Sequence, residues 1–120
     1  MSVQINTVTT TPQKLDSALG EQNVTIIWST TMTAATDNPV NFELTIVDES
    51  DPVFFVSDTD SNEKAIAWDR DLNLDDGNYK KTIVMIVTKT MAQNQKSKLR
   101  MVTTGADGVT SRKHFTLTYK

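Results

Sequence analysis

At 120 residues and 13.4 kDa, the chain has no cysteine, one histidine and a formal net charge of −3. That is one domain's length, enough to bury a core without covalent staples. The missing cysteines exclude a disulfide framework, a thiolate metal centre and a cysteine nucleophile. Hydrophobic residues at 38% beside 22% charged fit a folded chain rather than a disordered one, and no apolar run reaches the roughly 20 residues of a membrane span. Ser2 to Thr7 is polar and alternating, without a secretory apolar stretch after Met1. The chain is expected to be cytosolic, assembled inside a host cell, or exported by another route.

Val3 and Ile5 start an edge strand. Thr11 to Gly20 carries a capping threonine, Pro12 at a first helical position and a closing glycine, and predicts one or two turns of helix. Alternation then dominates. Val24, Ile26, Trp28, Thr30 and Met32 share one strand face, and Asp37-Asn38-Pro39 makes a turn. Val40, Phe42, Leu44 and Ile46 repeat the pattern. Asp51-Pro52 interrupts the chain before Val53–Val56, and a weaker strand covers Ala65 to Trp68. Asp75-Asp76-Gly77-Asn78 turns into a strand from Tyr79 to Thr90, where Ile83 to Val87 are apolar on both faces, the pattern of a central strand covered on two sides. Lys96–Thr104 and Arg112–Lys120 form a closing pair around Asp107-Gly108, with Phe115, Leu117 and Tyr119 facing one way and His114, Thr116 and Thr118 the other. About seven or eight short strands predict an all-β, antiparallel sandwich spanning residues 1–120 as one domain.

Leu74-Asp75-Asp76-Gly77-Asn78-Tyr79 resembles the D-x-G-x-Y corner of immunoglobulin-like domains, in which the tyrosine hydroxyl bonds back to the chain. Thr103 to Ser111, before Phe115-Thr116-Leu117-Thr118, is similar to the closing hairpin of bacterial and phage immunoglobulin-like modules. The resemblance covers the last third of the chain and implies an immunoglobulin-like sandwich. The chain departs from that family in lacking core cysteines and in placing Lys81, not an apolar residue, two positions after Tyr79.

Charge is segregated along the chain. Residues 1–78 hold three basic side chains against fourteen acidic ones, whereas residues 79–120 hold nine basic against Asp107 alone. Three readings compete. Acidic and basic strands neighbour each other and the split vanishes in the fold; or the acidic side of one copy meets the basic side of another in a head-to-tail contact; or the basic strands bind phosphate. The interaction residues expected are Lys80, Lys98, Arg100, Arg112 and Lys120, facing Asp58, Asp60, Asp69 and Asp71 of a neighbour.

Asp58-x-Asp60-x-Asn62 and Asp69-x-Asp71-x-Asn73 both repeat the opening of a calcium loop, since alternate residues of a turn can converge oxygens on a hard cation. Glu63 stands where an EF-hand needs glycine, so the candidate is an interface-type calcium site at Asp58, Asp60, Asn62, Asp69 and Asp71, set against a plain solvated acidic loop. No resident cofactor is otherwise expected.

Catalysis lacks its parts. His114 is the single histidine, on an outward strand position beside Lys113 with no sequence-local acid to orient it. The carboxylates cluster in polar loops where nothing separates their pKa values, and phosphate loops and nucleophile elbows are missing. The chain therefore reads as a non-enzymatic structural or interaction protein, by analogy a phage capsid decoration or tail-associated component that forms homo-oligomers or larger assemblies. A calcium-dependent adhesion or carbohydrate-binding module, with Trp68 as the more open aromatic, and a coat-like nucleic-acid binder are the alternatives.

Overall fold

The computed structural model describes residues 3–32, 41–69, 77–104, 108 and 110–120. Among them run β1 (Val3–Thr11), β2 (Lys14–Leu15), β3 (Glu21–Met32), β4 (Asn41–Ile46), β5 (Val53–Val56), β6 (Asn62–Glu63), β7 (Ala65–Asp69), β8 (Gly77–Val87), β9 (Lys96–Thr104) and β10 (Thr110–Tyr119). They form two five-stranded sheets, β1-β3-β8-β5-β6 (sheet A) and β2-β10-β9-β4-β7 (sheet B). Every pairing is antiparallel except β10 with β2. The all-β sandwich is as expected, with ten strands in place of seven or eight, because two-residue pairings at β2 and β6 are too short to leave a sequence pattern. The Leu74–Asp76 part of the tyrosine corner and the Asp37–Pro39 turn lie outside the described residues.

The helix expected over Thr11–Gly20 does not form. The chain crosses from sheet A to sheet B at the cis Thr11–Pro12 bond, and Lys14–Leu15 pairs with Thr118–Tyr119 so that Leu15 is wholly buried. A turn follows, in which Asp16 Oδ1 accepts from Ala18 N–H and the Gln22 amide holds both the N–H and the carbonyl of Asp16. Gly20 closes it at φ 71°, a left-handed conformation that favours glycine. One leucine plugging a core, with Leu19 left 65% exposed, gives a helix no apolar face to bury, and tertiary contact overrides the capping signals.

Alternation explains the core. Val24, Ile26 and Trp28 of β3, Phe42, Leu44 and Ile46 of β4, Val53 and Phe55 of β5, Leu99 and Met101 of β9, and Leu117 and Tyr119 of β10 all point between the sheets and are buried, each contributing about 1.5–3 kcal/mol. A bulge between Ile5 and Thr7 resets the parity of β1. Ile5 thereby turns inward while Thr7, Thr9 and Thr11 stay exposed on the outer face. That outer face is rich in hydroxyls, with Thr7 and Ser29 bonded at 2.9 Å and Thr25 and Thr82 at 2.9 Å.

The two-sided covering expected of the strand after Tyr79 is corrected. β8 is central in sheet A, between β3 and β5, and its inward Tyr79, Ile83, Met85 and Val87 are buried. Val84 and Ile86 face outward and remain half-buried beside Phe54 and Val56.

At the far end of β10, the Tyr119 hydroxyl and the Ser97 hydroxyl share a 2.6 Å hydrogen bond between two residues with no exposed surface. Burial, opposed by this bond, holds the Tyr119 phenol above its ordinary range. Because the folded pKa is raised, the phenol's contribution is complete below the unfolded value of about 10 and is lost as pH rises through the folded value. Denaturant midpoints measured across the alkaline range should fall above about pH 10. Tyr119→Phe should remove that group's share of the slope and cost about 1–2 kcal/mol at neutral pH by orphaning Ser97.

Candidate functional site

The outward positions of β9 are Lys96, Lys98, Arg100, Val102 and Thr104, since Ser97, Leu99, Met101 and Thr103 alternate into the core. Across the ladder, Thr118, Thr116, His114, Arg112 and Thr110 stand opposite them in that order, and on the other side Thr45 and Glu43 of β4 oppose Arg100 and Val102. Lys96, Lys98, Arg100, Arg112 and His114 therefore occupy one face of sheet B, with Lys14 continuing it at β2 beside Thr118. Glu43 is the one carboxylate among the described side chains of that face, and it accepts from Thr45. Successive outward residues of a strand lie about 6.7 Å apart, at which two cations in water repel by roughly 0.6 kcal/mol. The row is a small intramolecular cost that an anionic partner would reverse.

The structure thus brings together Lys98, Arg100 and Arg112, and adds Lys96. It separates Lys80, which pairs with Ile27 on the outer face of sheet A. Lys120 is exposed just past β10, its N–H donating to the Leu15 carbonyl. Assignment to a sheet decided this, and strand alternation carries no record of which strands share a sheet.

The described candidate metal ligands are divided among the turn after β5, β6 and β7. Asp58 and Asp60 are exposed in the turn between β5 and β6, Asn62 begins β6, Asp69 ends β7 opposite Asn41, and Asp71 lies outside the described residues. No group of three metal-ligating side chains is present among those described. The turn is held by its own hydroxyls instead: Ser57 to Thr59 at 3.0 Å, Thr59 to Ser61 at 3.3 Å, and Ser61 N–H to the Ser57 hydroxyl at 3.2 Å. In the turn between β4 and β5, Asp48 accepts from the Ser50 hydroxyl and N–H, which holds its carboxyl below the usual range. Lys64 is the cation of this acidic edge. Its ammonium donates to the carbonyls of Asp51 and Val53 and lies 3.9 Å over the Phe54 ring. Burial lowers its pKa, with Asp51, Asp48 and Glu49 opposing the shift. His114 is exposed opposite Arg100, in the basic surroundings its sequence neighbours implied.

A second feature was not foreseen. Where β7 of sheet B faces β8 of sheet A, the sandwich opens into a groove of about 480 Å³ lined by Ala65–Trp68, Lys81–Val84, Val56, Ser57, Asp58 and Glu63. Lys81 has the inward parity of Tyr79 and Ile83 and pairs with buried Ile26, yet it is exposed. Its ammonium reaches into this opening, 5.8 Å over the Trp68 ring. A polar residue on an otherwise inward-facing alternation was the sequence signal for the groove. Trp68 is half-buried, its ring centroid 5.7 Å from that of Trp28 and 6.0 Å from that of Phe42.

No protein-family model matches the sequence, and no curated protein matches it. Among solved structures, the fold is similar to the crystal structure of a conjugative transposon lipoprotein from Bacteroides eggerthii DSM 20697. The TM-score is 0.51 and the identity 9%, over 96% of this chain and 93% of that one. At such identity the likeness defines architecture alone: both are built as the same general class of β-sandwich.

Proposed function

We propose that this chain is a non-catalytic interaction protein that assembles through charge, the basic outer face of sheet B docking onto the acidic edge of a second copy. The observation that carries the reading is the row Lys96, Lys98 and Arg100 with Arg112 beside it on the neighbouring strand. The carboxylates Asp48, Glu49, Asp51, Asp58 and Asp60 occupy turns on either side of β5, in the other sheet. Two different, complementary surfaces on one molecule make a heterologous contact, which builds rings or filaments rather than closed pairs, with charge setting register and approach. A virion shell, as capsid decoration or tail-associated protein, is the setting that composition suggests by analogy. A bacterial surface is the other, in keeping with the word lipoprotein in the name of the structural neighbour. Sedimentation velocity across salt tests the assembly: species larger than the monomer at low ionic strength should dissolve towards the monomer by about 0.5–1 M salt, where screening is within ~3–4 Å. A monomer throughout would remove the reading.

The same basic row favours phosphate binding as a second reading. The described outward positions of β9 and β10 carry no Phe, Tyr or Trp, so single-stranded nucleic acid would find charge there without a stacking platform. Filter binding of single-stranded RNA should then be weak and lost steeply with salt.

A further inference from the structure

We infer that the groove between β7 and β8 binds an extended peptide as an added strand of sheet A, antiparallel to β8, with the peptide's amino terminus beside Asp58 and Glu63 and an acidic third residue at Lys81. The ladder between β5 and β8 ends at Val56 opposite Val84. Beyond it, Lys80–Ile83 are paired to β3 on one side, and among the described residues no strand takes the other. The chain cannot continue β5 into that space, because Ser57 N–H bonds Ser61 O at 2.9 Å and Asp60 N–H bonds Ser57 O at 2.9 Å, turning it back at an Asp60 φ of 60°. Lys64 then carries it over to sheet B, where its carbonyl accepts from Ile46 N–H at 2.8 Å. The result is open space in line with β5, walled by the edge of β8 and the edge of β7.

A strand entering there would satisfy alternate backbone groups along β8 and place its alternate side chains between the sheets. Continuing the β5 register puts its first residue opposite Ile83, its second opposite Thr82 and its third opposite Lys81. The first and third side chains face inward, towards Ile66 and Ile83 and towards Trp68 and Lys81. Since the added strand runs as β5 does, its amino terminus falls next to Asp58 and Glu63, which are exposed at that end of the groove. A free amine at the acidic end, a β-branched apolar first residue and a carboxylate at Lys81 make the charges complementary at both positions. The occupant is thus a peptide segment of another protein with those features. This groove is separate from the basic face of sheet B and shares only Asp58 with the acidic edge, and neither reading depends on the other.

The probe is the pentapeptide Val-Thr-Asp-Thr-Val with a free amino terminus and an amidated carboxyl terminus, titrated against the full chain by tryptophan emission and by amide exchange. Saturable binding with slowed exchange in Lys80–Ile83 is expected. Lys81→Glu, an exposed position whose folding is checked by its melting curve, should weaken binding about tenfold, and replacing the peptide's Asp by Lys should restore it in that variant. Acetylating the peptide's amine should weaken binding about threefold. No saturable change up to about 5 mM peptide, unchanged exchange along β8, or equal binding of both peptides to Lys81→Glu would each overturn the inference.

Discussion

Trp28→Ala should destabilise the fold by about 3–5 kcal/mol. Trp28 is 2% exposed and is the hub of an aromatic cluster. Its ring centroid stands 5.0 Å from Phe42 edge-on, 5.7 Å from Trp68 edge-on and 5.8 Å from Tyr79 nearly stacked. Such pairs add about 0.5–1.5 kcal/mol each beyond their area, and the three remaining rings, from β4, β7 and β8, cannot close over the space an indole leaves. The indole Nε1 is itself buried and has no hydrogen-bond partner among the described residues. Trp28→Phe therefore removes an orphaned donor along with some volume, and should cost only about 1–2 kcal/mol. Urea denaturation of the two variants makes the measurement. A loss under about 1 kcal/mol for alanine would show that the cluster does not seal this part of the core.

Reversing charge on the basic row should abolish assembly. Lys98→Glu with Arg100→Glu places two carboxylates beside Glu43 on the same face and turns attraction for an acidic partner into repulsion. The self-association constant should fall by at least about 100-fold at low salt. Lys98 is exposed and Arg100 half-buried on this outer face, so folding of the double variant is checked by its melting curve. The informative arm is the complementary swap. Glu49→Lys with Asp58→Lys reverses exposed positions in the turns flanking β5 and should also be monomeric alone, yet mixing the two double variants should restore assemblies of one-to-one composition. Restoration identifies the two surfaces as each other's partners. Two variants that stay inert when mixed would mean the row meets something other than this chain.

What was legible in advance followed from one-sided burial. β3, β4, β9 and β10 each keep one face in the core, so alternation at Val24–Trp28, Phe42–Ile46 and Leu117–Tyr119 fixed their type and inward residues. β8 misled because Val84 and Ile86 are apolar on an outer face, and apolarity alone does not say which face is covered. Thr11–Gly20 misled because caps and a proline mark helix ends only when an apolar stripe lies between them, and Leu15 supplies one contact rather than a stripe. The candidate site was half legible. Lys98 and Arg100 lie on one strand and could be grouped by parity, whereas the distance of Lys80 from them, and of Asp69 from Asp58, depends on sheet order. The groove had one trace, Lys81 at an inward position, and its meaning required knowing that β5 stops short of it.

The path of β1 and β10 bears on how the molecule carries tension. Ile5 N–H bonds the Ser111 hydroxyl, so the start of β1 lies by the start of β10, and β10 then runs to Tyr119, about 30 Å away at strand rise. The two ends of the described chain consequently leave from opposite poles of a body 45 Å long. A pull between them runs lengthwise along both strands while their ladder bonds lie crosswise. Those bonds must then shear together instead of opening singly.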